Sequence, residues 1–306
     1  MSQFKCPLSG EEKELEVVYR FKAKDLAKLY KKKRNLDLSN EFTKDEILLV
    51  KNKKIGFYFF YPFISGSSDF YEGLTVTSKY SVEKNEYDFA SKYIKEGDKV
   101  LDIGCGWGFF SSYVPKADYL GIEFSQESKQ KCEERNIKVT STLIEDMPKD
   151  NKFDVVVAFQ VVEHIENPIN FVSSMRDITK DNGLMIISVP NVDSFNSLQE
   201  NNYLNYPPHH ISWWSKDSIL YLANKLNLEI VDFEFDKLES TSLCYSISLK
   251  QRFNQIFHRE KTLIRDNSFD RFINTVFAGV AKLFPKPDSR LMPNGHSMTF
   301  IFRKKN

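Results

Sequence analysis

Residues 100–110 read VLDIGCGWGFF. A short apolar strand runs into an aspartate, and three glycines (Gly104, Gly106, Gly108) follow within five residues. Such a turn brings a ligand against bare backbone. Three ligand chemistries use a glycine-rich loop after a first strand: a nicotinamide dinucleotide, a nucleoside triphosphate and a sulfonium nucleoside.

The loop chemistry separates them. A dinucleotide fingerprint wants GxGxxG, but the third position here is Phe109, and Gly108 arrives one residue early. The triphosphate-binding loop needs GK[ST], which is absent. Asp102 sits at the strand end, where a carboxylate repels a pyrophosphate and favours a ligand carrying an amino group and a sulfonium. Glu123 ends the next strand, where an acid accepts hydrogen bonds from ribose hydroxyls. Two acids flanking the glycines describe a site for a phosphate-free, positively charged nucleoside, S-adenosylmethionine.

Outward from the loop, helical and strand patterns alternate from about residue 83, as in a mostly parallel sheet covered by helices. EKNEYDFASKYIKEG predicts a helix ending at Gly97, and KVLDI the first strand. YLGIEF, IKVTST, FDVVVAFQ, LMIISVP and LEIVDFEF continue the series, and MTFIFRK is expected as a last edge strand. Ser125, Asn167 with Pro168, and Ser215 are placed to open the intervening helices. Before this series lie a lysine-rich helix, FKAKDLAKLYKKKRN, and a small hairpin of ILLV and IGFYFFYPF around KNKK. Residues about 237–295 separate the sixth strand from the last. There Phe269, Phe272, Ile273, Val276, Phe277, Val280 and Phe284 recur at helical spacing.

The totals narrow the class. The chain of 306 residues carries a formal net charge of +1, which gives no reason to expect nucleic-acid binding. Its four cysteines (Cys6, Cys105, Cys132, Cys244) are scattered and suit a reducing compartment. No apolar run approaches the roughly 20 residues of a membrane span, and the polar opening MSQFKCPLSGEEKELE is no signal peptide. A cytoplasmic enzyme is the expectation.

VLDIGCGWG, then GIEFS, then FDVVVAFQVVEHIENP resemble the class I S-adenosylmethionine-dependent methyltransferases over residues 83–235 and the last strand. The resemblance implies a Rossmann-like, seven-stranded, mostly parallel α/β sheet. It divides the chain into an accessory domain, 1–82, and a methyltransferase domain, 83–306, with a helical insertion before the last strand. It further implies that Asp102 holds the methionine amino group through the loop and its waters, and that Gly104, Cys105 and Gly106 lie against the methionine. Glu123 takes the ribose hydroxyls, Phe124 packs on the adenine, and Leu143 and Ile144 border its edge. Glu145, Asp146 or backbone would meet that edge's polar atoms. Gln160 would face the transferable methyl. Cys105 also reads as a small loop filler, and Trp107 as a packing residue.

His164, in QVVEHIENP, lies on the sheet edge where open α/β folds bind ligands. It is a candidate general base for a hydroxyl acceptor, or a residue that fixes its loop. YPPHHISWWS (206–215) resembles a segment that closes over the active site in ubiquinone-type and sugar-modifying methyltransferases, making His209 and His210 further base candidates. Trp213 and Trp214 could stack on a ring or sit in the core. No metal is expected, because the two adjacent histidines need a third ligand that the sequence does not identify.

CPLSG (6–10) resembles half of a CPxCG zinc knuckle, with Ser9 for the second cysteine and Val50 and Lys53 for the other pair, so a metal-free scaffold is expected. SDFYEGLTVTSKYS is placed to bring Tyr71 or Tyr80 over the cofactor. The helix at 269–284 either packs on its own domain or forms a lid or a peripheral surface that approaches a lipid-linked acceptor. The product implied by these appendages is an O-methylated sugar or surface-glycan precursor. The alternatives are a small aromatic or quinone-type acceptor, a non-catalytic cofactor-binding partner subunit, and a nicotinamide oxidoreductase.

Overall fold

The computed structural model describes residues 4–38, 41–75, 84–150, 152–194, 200–236, 241–257, 263–264, 268–281, 283 and 295–305. Tyr80 and Phe284 lie outside them.

The N-terminal part consists of β1 (Leu15–Lys22), α1 (Ala23–Arg34), β2 (Glu46–Asn52), β3 (Phe57–Tyr61) and α2 (Ser68–Thr75). The hairpin of β2 and β3 is as expected, and β1 adds a strand that the sequence reading missed. LEVVYRFK alternates half-buried and exposed positions, the period of a one-sided antiparallel strand. Cys6 is buried with Leu8, Val50 and Phe57 in an apolar cluster. Ser9 Oγ accepts from Asn52 Nδ2 at 3.2 Å.

Next come α3 (Asn85–Ser91), β4 (Lys99–Ile103), β5 (Asp118–Ile122), α4 (Gln126–Glu134), β6 (Val139–Thr140), β7 (Phe153–Phe159), α5 (Pro168–Ile178) and β8 (Thr179–Pro190). The chain continues through β9 (Ser212–Trp213), α6 (Lys216–Lys225), β10 (Leu228–Phe235), α7 (Thr241–Ile256), α8 (Ser268–Ala281) and β11 (Ser297–Lys304). Ser125, Asn167 and Ser215 each accept a backbone N–H at the helix start they were assigned to.

Seven strands form one sheet in the order β10-β11-β8-β7-β4-β5-β6. β4 pairs in parallel with β5 and β7, and β7 with β8, while β11 runs antiparallel between β8 and β10. MTFIFRK is therefore an interior strand, not the edge the sequence suggested. Phe300, Ile301 and Phe302 are fully buried, as a strand covered on both faces requires. Alternate residues divide between the faces: Val155, Val157 and Ile186 pack with α3, and Val156, Ala158 and Ile187 pack with α5. The expected strand IKVTST shrinks to two residues because Thr140 and Thr142 hydrogen-bond each other locally instead of extending the ladder.

The smaller sheet runs β1-β2-β3-β9. Its last strand comes from the YPPHHISWWS segment, so the N-terminal hairpin anchors that segment. Tyr30 of the lysine-rich helix donates its hydroxyl to the carbonyls of Tyr203 (2.7 Å) and Tyr206 (2.8 Å). α7 and α8 lie together, with Phe253 against Phe269 and Phe277. Among the described residues, no helix is long and apolar enough to cross a membrane.

Candidate functional site

β4 stops at Ile103, and the loop turns back onto β5: the N–H groups of Gly104 and Cys105 both donate to the Ile122 carbonyl. Gly104 has φ +69°, and a Cβ there would lie 2.7 Å from Val161 Cγ2. Gly108 also has φ +69°, with Ile137 Cδ1 2.6 Å from its missing Cβ, which explains a glycine at this position rather than the next. The loop continues into a five-residue 3-10 turn, Phe109–Tyr113, not a long α-helix. The helix N-terminus that seats a pyrophosphate in dinucleotide folds is therefore missing from this place. Cys105 Sγ fills the space over Gly121, where any Cβ would meet it at 2.4 Å.

The two flanking acids behave differently. Glu123 Oε2 accepts from the Gly106 N–H at 2.9 Å, and Oε1 accepts from Phe124 and Ser125 N–H at 2.7 and 2.8 Å. These bonds fix the carboxylate on the cavity wall and leave Oε2 able to accept from a ligand hydroxyl. Asp102 is buried beneath the loop, where it accepts the Tyr119 hydroxyl at 2.6 Å, and it does not line the cavity. Desolvation raises its pKa to about 7, against the lowering effects of Tyr119 and Lys84. Any influence of Asp102 on a ligand passes through the loop.

The cavity has a volume of about 1060 Å³. Gly104, Cys105 and Gly106 form its floor, and Glu123, Phe124, Leu143, Ile144 and Glu145 form one end. Phe124 and Leu143 are each 52% exposed, so an apolar slot faces solvent where the adenine edge was placed. Glu145 lines the wall; Asp146 does not. Trp107 also lines the wall, whereas Trp213 and Trp214 are buried away from it.

Gln160 lines the middle of the cavity with φ +57°, a strained setting for glutamine. Its Nε2 donates to Glu86 Oε2 (2.8 Å), Ser188 Oγ (2.9 Å) and Ser297 Oγ (3.3 Å). Ser188 also bonds Glu86, and Lys84 lies 3.4 Å from Glu86 Oε1. The network joins α3 to the ends of β7, β8 and β11. Sequence reasoning missed Lys84, Glu86, Ser188 and Ser297, because only the crossing of β11 beside β8 brings them together.

At the far end stand Glu163, His164, His209, His210 and Tyr71. Glu163 and His164 lie on a 3-10 turn, Val162–His164, just after β7. His209 and His210 precede β9, and Ile211 N–H donates to the Glu163 carbonyl at 3.0 Å. His164 Nδ1 is 2.6 Å from the His209 carbonyl oxygen, and His209 Nδ1 is 2.9 Å from that of Leu204. Both Nδ1 atoms therefore carry the proton, and both Nε2 atoms carry a lone pair. Ring centroids are 4.7 Å apart for His164–His209 and 4.6 Å for His209–His210. Burial depresses the His164 pKa to about 4 and that of His209 to about 3, and drives that of His210 well below its usual value. Burial also raises Glu163 to about 8. One ligand atom from each of the three histidines lies within 4.8 Å of the other two, so His164 joins the adjacent pair as a third imidazole.

Residues 81–232 match the model of a methyltransferase-domain family. An uncharacterised methyltransferase of Schizosaccharomyces pombe is 34% identical over 110 residues, 30% of this chain and 40% of that protein. A ubiquinone biosynthesis O-methyltransferase of Actinobacillus pleuropneumoniae serotype 7 is 30% identical over 109 residues, 31% of this chain and 47% of that protein. The chain thus spans about half the length of these curated relatives. The crystal structure of a SAM-dependent methyltransferase from Archaeoglobus fulgidus shares the fold, with TM-score 0.52 and 20% identity, over 77% of this chain and all of that one. With the strand order and glycine loop already described, residues 81–232 are a class I S-adenosylmethionine-dependent methyltransferase domain.

Proposed function

We propose that the protein is a methyltransferase that binds S-adenosylmethionine on the glycine loop and methylates a hydroxyl of a small acceptor held at the histidine end. One observation carries this reading: a single cavity runs from Glu123, Phe124 and the loop to His164, His209 and His210. The residues suit the cofactor. The positive-φ glycines leave a bare floor, Glu123 suits ribose hydroxyls, and the slot of Phe124 and Leu143 suits a purine. A pyrophosphate would meet Glu123 and no α-helix N-terminus beside the glycines. Asp102 would favour the cationic end from beneath the loop.

When bound, S-adenosylmethionine supplies a methyl carbon on a sulfonium, open to in-line displacement. The chain must hold the acceptor oxygen about 3–3.5 Å from that carbon and take its proton. A lone pair on His164 or His209 Nε2, neutral at pH 7, is placed to accept that proton while the oxygen–carbon bond forms and the carbon–sulfur pair stays on sulfur.

The acceptor class rests on two resemblances. The likeness of CPLSG to half of a zinc knuckle favours a sugar or surface-glycan precursor, and relatives named ubiquinone biosynthesis O-methyltransferases favour a small aromatic or quinone-type acceptor. The test is a turnover assay with methyl-labelled cofactor against nucleotide sugars, polyprenyl phenols, catechols and cell extract. Labelled product that requires the acceptor supports the reading. Tight cofactor binding with no product from any acceptor would identify a non-catalytic binding protein instead.

A further inference from the structure

We propose that His164, His209, His210 and Glu163 bind a divalent first-row transition ion at the acceptor end of the cavity. The binding itself does not depend on the methyl-transfer reading.

The donors are arranged for a metal before one is present. His164 and His209 each give Nδ1–H to a backbone carbonyl, the outer contact that fixes a ligating imidazole with its Nε2 lone pair outward. The cluster is held by backbone, since Ile211 N–H donates to the Glu163 carbonyl. The three histidine donors lie within 4.8 Å of one another. A tetrahedral ion about 2.0–2.1 Å from each nitrogen needs them about 3.4 Å apart, so the most distant donors must draw together when it binds.

Two groups in the cluster lack what buried polar groups normally have. Both Glu163 oxygens are buried and accept no hydrogen bond from another residue, and buried His210 Nδ1 has no hydrogen-bond partner among the described residues. Glu163 Oε1 lies 3.7 Å from His210 Nε2 and 3.8 Å from His164 Nε2, too far for a hydrogen bond. A buried carboxyl with no hydrogen-bond partner, facing imidazoles, is a group whose missing partner a metal ion would supply. Three imidazoles and one carboxylate select zinc, iron(II), cobalt(II) or nickel(II) over magnesium or calcium. All four side chains line the cavity, so ion and acceptor share one entrance.

The role of the ion does rest on the proposed function. A hydroxyl bound to it would lose its proton to water at neutral pH, and the imidazoles would then act as ligands rather than as the base.

The experiment titrates chelator-treated full-length protein with cobalt(II) chloride, following visible d–d absorption, and measures S-adenosylhomocysteine binding on the same samples. The proposal expects one equivalent of cobalt, displaced by zinc and not by millimolar magnesium. H164Q/H209Q should abolish the absorption, and E163Q should weaken binding by about 10- to 100-fold. No absorption beyond the free ion, or unchanged affinity in H164Q/H209Q, would overturn the site. Should that double variant fail to fold, E163Q decides, and unchanged cobalt affinity in it overturns the four-residue site. Protein that binds cobalt but not S-adenosylhomocysteine would sink the methyl-transfer reading and leave the metal site standing.

Discussion

His164 Nδ1 meets the carbonyl oxygen of His209 at 2.6 Å, tying the turn after β7 to the segment before β9. One bond thereby couples the large sheet, which carries the glycine loop, to the small sheet, which carries the histidine pair. It also sets the tautomer of His164 and aims its Nε2 lone pair. The two ends of the cavity should accordingly respond differently to substitution.

Glu123→Ala removes the hydrogen-bond acceptor beside the loop and should raise the Kd for S-adenosylhomocysteine by about 10- to 100-fold, the worth of one to two strong hydrogen bonds. His164→Ala should change that Kd by less than about threefold while lowering turnover by about 10²- to 10⁴-fold, the range for losing help in deprotonating the acceptor, whether the imidazole takes the proton or holds the ion. Calorimetry and single-turnover assays on both variants check the split. Equal loss of affinity in the two would contradict the assignment of ends.

Gly104→Ala places a Cβ 2.7 Å from Val161 Cγ2 and holds alanine at φ +69°. The left-handed setting alone costs about 1–2 kcal/mol. The melting temperature should fall, and cofactor affinity with it. Adding Val161→Ala should relieve the contact but not the backbone cost, so recovery should be partial. Complete recovery in the double variant would show that the backbone setting carries no cost.

Asp102 gives a pH signature. Its pKa rises from 3.8 unfolded to about 7 in the fold, chiefly through desolvation. The folded protein therefore holds this proton more tightly. The stability it contributes is complete below pH 3.8 and is lost as pH rises through 7. Asp102→Asn keeps an acceptor for the Tyr119 hydroxyl and has no charge to bury. The stability of the variant relative to the cofactor-free native chain should thus grow between pH 5 and pH 8.5, by on the order of 2–4 kcal/mol. Thermal melts across that range decide; a constant or shrinking difference would refute it.

Tyr30→Phe removes the hydroxyl that holds the Tyr203 and Tyr206 carbonyls and so loosens the histidine segment from α1. The expected cost is about 1–3 kcal/mol of stability. Turnover should drop while the Kd for S-adenosylhomocysteine stays put. A change in that Kd as large as the change in turnover would mean that the small sheet supports the cofactor end as well.

The large sheet was legible because each strand carries its own period and each helix its own cap: FDVVVAFQ is too apolar for a wet face, and Ser125, Asn167 and Ser215 announce their helices. The loop residues followed from their spacing. The interior position of MTFIFRK was not legible, since strand order depends on where a chain returns and not on local pattern. For the same reason the buried partners of Gln160 were hidden. Glu86, Ser188 and Ser297 stand more than 100 residues apart in the extreme and meet only through the sheet. β1 was missed because eight residues of modest alternation sit next to a stronger helical signal. The third histidine of the cluster was in plain view, yet nothing local couples residue 164 to residue 209.

The central claim is that this cavity takes a cationic, phosphate-free nucleoside, and titration calorimetry of the intact chain tests it most directly. S-adenosylmethionine and S-adenosylhomocysteine should each bind at one per chain with micromolar Kd, about −8 kcal/mol, and NAD and NADH should give no heat of binding. One-to-one binding of NAD or NADH that Glu123→Ala leaves intact, or silence with both sulfur nucleosides, would contradict the account.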